Sequence, residues 1–235
     1  MAAGVAHNLG LVRARLAGAL AAAGRDTLSV SLLAVSKHHP AAAIREAYAA
    51  GQRDFGENYA QELARKADEL RDLSELRWHM IGHLQRNKVK LVVPHAVRVS
   101  SVDSERLLRE LSAQRSASPI SLNETAGNRT GLEVLLEVKL GDELSKSGAP
   151  PAAVPALVEL AERLPGLELR GLMLIPPHGV DPAPYFAELV ALHDSLGGAQ
   201  RLPVLSMGMS GDLEAAVLAG STEVRVGTAI FGERA

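Results

Sequence analysis

The chain has 235 residues, 47% hydrophobic and only 3% aromatic, with no cysteine and a net charge of −2 from 25 basic and 27 acidic residues. That length suits one domain with a large core, and the interspersed charge gives no electrostatic reason to expect nucleic acid or an anionic membrane as partner. The lack of cysteine excludes disulfides, thiolate catalysis and thiolate metal sites, and fits a reducing cytoplasm.

The first element is an amphipathic helix over 5–23, interrupted by Arg13 and Arg15 and lacking the basic start of a signal peptide. No run is long and apolar enough to span a bilayer. Eight β-branched or apolar runs follow, at 28–36, 53–57, 77–82, 96–103, 132–140, 167–175, 202–209 and 223–230. Helical periodicity fills the intervals at 40–50, 57–72, 85–93, 104–115, 151–164, 182–196 and 211–220. Strict alternation of near-continuous apolar strands with helices predicts an α/β fold with a parallel sheet. Eight strands are best accounted for by a single (β/α)8 TIM-type barrel over residues 1–235, with an extra N-terminal helix. A doubly wound open sheet is the rival, but it leaves two edges and usually has fewer strands. The Ser-, Asn- and Gly-rich stretch 112–131 lacks an apolar period and reads as a mobile loop with no chemistry. Its sequons at Asn123 and Asn128 are expected to be chance, because a chain that lacks a signal peptide does not meet the glycosylation machinery.

In such barrels the site forms at the C-terminal ends of the strands. Lys37 follows the first strand in LLAVSKHHP, 32–40. A lysine at a strand tip is most often solvated, but this strand end opens into the expected site, where a partly dry lysine can act as a Schiff-base amine. SMGMSGD, 206–212, places small residues and hydroxyls directly before a helix whose free N–H groups favour an anion. The bland alternative makes it a capped helix start, with Ser210 or Asp212 as the cap. RVGT, 225–228, ends the last strand with a glycine and a hydroxyl, and the last two barrel loops commonly hold phosphate. A lysine plus a phosphate site points to pyridoxal phosphate. His79 and His83 have a metal-ligand spacing, but they flank a strand end and have no Cys or close carboxylate to complete a set. The basic QRNKVK, 85–90, reads as a solvated helix face, and no GxGxxG or Walker pattern occurs.

The motifs VSK (35–37), FGENYAQE (55–62), WHMIGHLQRNK (78–88), SKSG (145–148), RGLMLIPP (170–177), SMGMSGD (206–212) and VRVGTAIFGER (224–234) resemble, in the same order, the YggS/PROSC family of pyridoxal phosphate homeostasis proteins. The family has a pyridoxal-phosphate-binding barrel related to the N-terminal domain of alanine racemase. The resemblance implies that Lys37 forms the Schiff base, that Ser210, Gly227 and Thr228 hold the phosphate, that Arg225 lies near the pyridine nitrogen, and that Asn58, Ile81 and Ser206 line the pocket. A permanent cation at the ring nitrogen disfavours the pyridinium and weakens the electron sink. Lys146, in SKSG, is a secondary lysine that either receives the cofactor or has no special role.

The resulting expectation is a non-catalytic, cytoplasmic and monomeric carrier or buffer of pyridoxal phosphate. It acts in vitamin B6 and amino-acid and keto-acid balance, with apo-enzymes as recipients. The alternative is a small pyridoxal-phosphate-dependent amino-acid racemase, which on this fold needs a second β domain that these residues do not supply. A Schiff-base aldolase without cofactor leaves the paired phosphate loops unexplained.

Overall fold

The computed structural model of the chain describes residues 4–117, 131–141 and 147–233. Eight parallel strands pair in sequence order and close into a barrel: β1 Ser31–Val35, β2 Asp54–Glu57, β3 Arg77–Met80, β4 Ala96–Val102, β5 Leu132–Val138, β6 Leu167–Leu174, β7 Val204–Ser206 and β8 Glu223–Val226. Closure is made by β8 against β1, with Leu33 opposite Arg225. The outer layer comprises helices α1 Val5–Ala22, α2 Ala41–Ala49, α3 Ala60–Glu69, α4 Val89–Val92, α5 Glu105–Ala117, α6 Val154–Arg163, α7 Ala183–Ser195, α8 Gly198–Arg201, α9 Leu213–Leu218 and α10 Thr228–Phe231. The expected single barrel with an extra N-terminal helix is therefore what the chain forms. No helix among the described residues is long and apolar enough to cross a membrane.

Several boundaries differ from the sequence reading. The last strand stops at Val226 instead of 230, because Gly227 turns the chain and Thr228–Phe231 closes a short helix back onto α1. The helix expected over 211–220 shortens to Leu213–Leu218, and that over 85–93 divides into a 3-10 turn, Arg86–Lys88, and α4. Helix α5 runs on to Ala117, so the start of the expected loop 112–131 is helical. Its buried face, Leu107, Leu108, Leu111 and Ser112, continues past the point where the composition turns polar, and the Ser112 hydroxyl donates to the Pro165 carbonyl. Residues 118–130, including both sequons, lie outside the described residues.

Alternation along each strand divides the molecule into two interiors. Val134, Leu136 and Val138 of β5 and Val224 and Val226 of β8 face the helices and join the main apolar core, which is the annulus between sheet and helices. Inside the barrel, among the described residues, Leu33, Val35 and Ile81 form a separate apolar cluster. Much of the remaining barrel interior is charged. Arg98 donates to Glu133 at 2.8 Å and to Glu223 at 2.6 Å, while Asp54 accepts from Arg77 and lies 2.8 Å from His79 Nε2. Burial alone would raise the Asp54 carboxyl, but its bonds with His79 and Arg77 outweigh that and hold it well below the usual carboxylate range.

Helix α1 buries Leu9, Val12, Leu16, Ala19 and Leu20 along one face and packs on α2, α9 and α10. Its polar face is tied down as well. Arg13 donates to the Ala50 carbonyl, while Arg15 pairs with Glu214 and donates to the Ser210 carbonyl at 2.7 Å. The extra helix thus braces the loop between β7 and α9.

Candidate functional site

The C-terminal mouth of the barrel holds a cavity of about 600 Å³ lined by residues from every strand or strand end except β4. Strand β1 delivers Lys37. Leu33, Ala34 and Val35 are buried, the Ser36 N–H donates to the Gly56 carbonyl, and the chain then leaves the sheet with Lys37 half-buried at the rim. Pro40 is the extended residue before α2, so its missing N–H costs no helical bond. Strand β2 delivers Asn58, and Ile81 and Gly82 follow β3.

Gly82 is fixed by close approach. A Cβ at this position would stand 2.3 Å from the Asn58 carbonyl oxygen and 2.7 Å from its Cα, and a backbone neighbour cannot yield as a flexible side chain does. Gly82→Ala is expected to displace Asn58 and cost about 1–3 kcal/mol, which the midpoint of denaturant unfolding will register.

The opposite part of the rim is made by two loops. One is Met209–Ser210–Gly211 after β7, and the other is Gly227–Thr228 after β8. Gly208 turns the first with φ +96°, and a Cβ there would meet that of Ala216 at 2.4 Å, so this turn requires glycine. Asp212 precedes α9 but makes no side-chain bond to the helix. Its carboxylate instead accepts the Met209 N–H within the loop.

Arg225 reaches the cavity from inside the barrel. It is 4% exposed, and it donates to the Ser206 hydroxyl at 2.8 Å and to the Leu174 carbonyl at 2.9 Å. Burial pushes the guanidinium down, and the nearby carboxylates of Glu223, Glu137 and Asp212 partly restore it. At its ordinary value far above neutrality a guanidinium stays charged regardless. Ser206 does not line the cavity; it is fully buried and passes Arg225's contact on to Glu223, which in turn receives Arg98. A hydrogen-bonded column therefore runs from the cavity floor to the charged layer below.

Of the expected site residues, Lys37, Asn58, Ile81, Ser210, Arg225, Gly227 and Thr228 line this one cavity, and Ser206 lies beneath it. Lys146 falls outside the described residues. His79 points down to Asp54, while His83 faces the cavity 3.6 Å from Asp103, so the two histidines do not converge. The sequence reading missed Glu137 and Ser147. Glu137 is buried within the barrel and accepts the Ser147 hydroxyl at 3.0 Å, and burial pushes its carboxyl up. The available signal was the spacing of Glu133 and Glu137 in β5, which places both on one face of the strand.

The donor set comprises a primary amine, two hydroxyls on small-residue loops and a buried permanent cation, in a space that suits a ligand of cofactor size. It matches an aromatic aldehyde bearing a phosphate, so the residues present fit pyridoxal phosphate.

The alanine racemase N-terminal domain family matches residues 5–235 of the chain. Alanine racemase from Corynebacterium glutamicum shares the fold with a TM-score of 0.62 at 18% identity, over 98% of this chain and 61% of the racemase. Within that class, the Pseudomonas aeruginosa pyridoxal phosphate homeostasis protein is 48% identical over 98% of this chain and 96% of its own length. The structure of PipY from Synechococcus elongatus PCC7942 with pyridoxal phosphate bound is 41% identical, with a TM-score of 0.76 over 92% of this chain and 100% of PipY. The chain belongs to the pyridoxal phosphate homeostasis protein family.

Proposed function

We propose that the cavity binds pyridoxal phosphate and that the protein carries or buffers it without catalysing turnover. When bound, the cofactor supplies an aldehyde that a lysine amine captures reversibly. In this reading Lys37 provides that amine, Ser210, Gly227 and Thr228 receive the phosphate, Arg225 faces the ring nitrogen, and Asn58 and Ile81 fix the ring. One observation carries it: an amine from β1, the hydroxyl loops after β7 and β8, and a buried guanidinium share a single cavity. The bound cofactor in PipY and the name of the Pseudomonas aeruginosa relative support the same ligand.

Arg225 favours carriage over turnover. Its charge is permanent and its side chain is held by Ser206 and Leu174, so it neither accepts a proton nor swings away. A fixed cation disfavours protonation of a facing ring nitrogen and weakens the electron sink on which transamination depends. The same proposal has the protein monomeric and cytoplasmic, delivering its cargo to apo-enzymes and so affecting vitamin B6 and amino-acid balance.

Transfer tests this reading. Protein loaded with pyridoxal phosphate and freed of excess cofactor is expected to restore activity to an apo-aminotransferase, whereas Lys37→Ala treated identically restores little. Incubation with amino acids in heavy water is expected to leave the α-proton in place. Multiple-turnover exchange of that proton would replace the carrier by the racemase-type alternative.

A further inference from the structure

The turn that carries Lys37 is gripped on both sides by α3. On the preceding residue, the Ser36 carbonyl accepts the Lys66 ammonium at 2.7 Å; on the following one, the His38 N–H donates to Glu62 Oε1 at 2.8 Å. The two anchors are themselves joined, because Lys66 Nζ lies 2.8 Å from the same Glu62 oxygen and 2.7 Å from Glu57 Oε1. Glu57 also receives the Ser36 hydroxyl at 2.6 Å. Lys66 and Glu57 are 0% exposed. Within this ring of bonds His38 holds φ +66°, the only positive φ at a non-glycine position among the described residues.

Two features argue that the cluster serves the site as well as the fold. Burying an ammonium between carboxylates contributes little net stability compared with apolar packing, so its worth lies in fixing one arrangement. A left-handed non-glycine backbone is uphill and persists only where neighbours over-determine it, and such positions gather at functional sites. Here the neighbours that over-determine it are the Glu62 acceptor and the Lys66 donor. Burial raises the Glu57 carboxyl, with Lys66 and Ser36 only partly offsetting it. Burial acts likewise on Glu62, but there the bonds from Lys66 and from the His38 N–H prevail and keep it ionised.

We propose that Lys66 and Glu62, with Glu57, are positioning residues that lock the backbone on either side of Lys37 so that its amine is presented to the cavity before any ligand arrives. The inference rests on the reading of Lys37 as the capturing amine. Capture forms a C=N bond between Lys37 Nζ and the aldehyde carbon with loss of water, and its rate depends on how well the amine is aimed.

Lys66→Met leaves the fully buried Glu57 without its cation and is the variant at risk of not folding, so the decision rests on Glu62, which retains some exposure. Glu62→Ala removes the acceptor of the His38 N–H, whereas Glu62→Gln keeps an oxygen there. The readouts are the rate of pyridoxal phosphate capture and the visible circular dichroism per bound cofactor, both taken well below the unfolding temperature. Glu62→Ala is expected to slow capture about tenfold or more and to reduce the dichroism, and Glu62→Gln to restore both. Wild-type rate and dichroism in Glu62→Ala, with only a lowered Tm, would overturn the inference and leave the cluster structural. If the wild-type protein captured no pyridoxal phosphate, the reading of the cavity would fail and this inference with it, an outcome recognisable because it needs no variant.

Discussion

Lys37→Ala is expected to abolish covalent capture of pyridoxal phosphate while leaving the barrel folded. Lys37 lies beyond the last residue of β1, half-buried at the rim, and alanine fits its backbone, so the stability change should stay within roughly 1 kcal/mol. The hydroxyl loops and Arg225 are untouched, and weak non-covalent affinity is expected to survive. Loss of the covalent link should weaken binding by about 100-fold, equivalent to about 2.7 kcal/mol. Absorbance in the visible after gel filtration reads the result directly: yellow wild type, colourless variant, with identical far-ultraviolet circular dichroism.

The largest stability effect is expected at Arg98. Its guanidinium bridges Glu133 and Glu223 inside the barrel, and the three side chains are 11%, 4% and 5% exposed. Arg98→Leu removes the bridging guanidinium and leaves the buried Glu133 with the half-exposed Arg170 at 3.5 Å and the buried Glu223 with the Ser206 hydroxyl, which should cost about 3 kcal/mol, because a buried carboxylate that loses its close cation meets much of its desolvation penalty. Combining it with Glu133→Gln and Glu223→Gln should recover part of that loss, since both carboxylates are then neutral while Arg225 loses the facing charge of Glu223. Denaturant unfolding of the single and triple variants gives the comparison. The damage should also reach the cavity: Glu223 accepts the Ser206 hydroxyl that receives Arg225, so the single variant is expected to bind pyridoxal phosphate more weakly even where it is folded.

These two residues mark what the sequence could and could not convey. The barrel was legible because its annular core is apolar and periodic: every strand run and every intervening helix of the reading has its counterpart in the structure. The end of β8 is not legible because TAIF has strand-like residues, and nothing local says that Gly227 ends the strand and starts a helix. The charged interior was hidden for a related reason. In LEVLLEV and EVRV the charges alternate with apolar residues, a pattern that also describes a strand with one wet face, and only closure of the sheet turns that face into an interior.

At the mouth, Lys37, Ser210, Gly227 and Thr228 were identifiable because fold rules place strand ends and late loops there. Arg225 and Ser206 gained their relationship only in three dimensions, where the first was expected at a ring nitrogen and the second proved to hold it. Lys66 gave no signal at all. With Glu62 four residues earlier on α3 it reads as an ordinary exposed helical ion pair, and its burial depends on where α3 crosses the end of β1.

The most direct test of the whole account is to mix the protein with pyridoxal phosphate, reduce with borohydride, digest, and locate the label by mass spectrometry. The account expects one phosphopyridoxyl group per chain, on the peptide containing Lys37. A protein that takes up no label, or one labelled at another lysine with Lys37 unmodified, would contradict it.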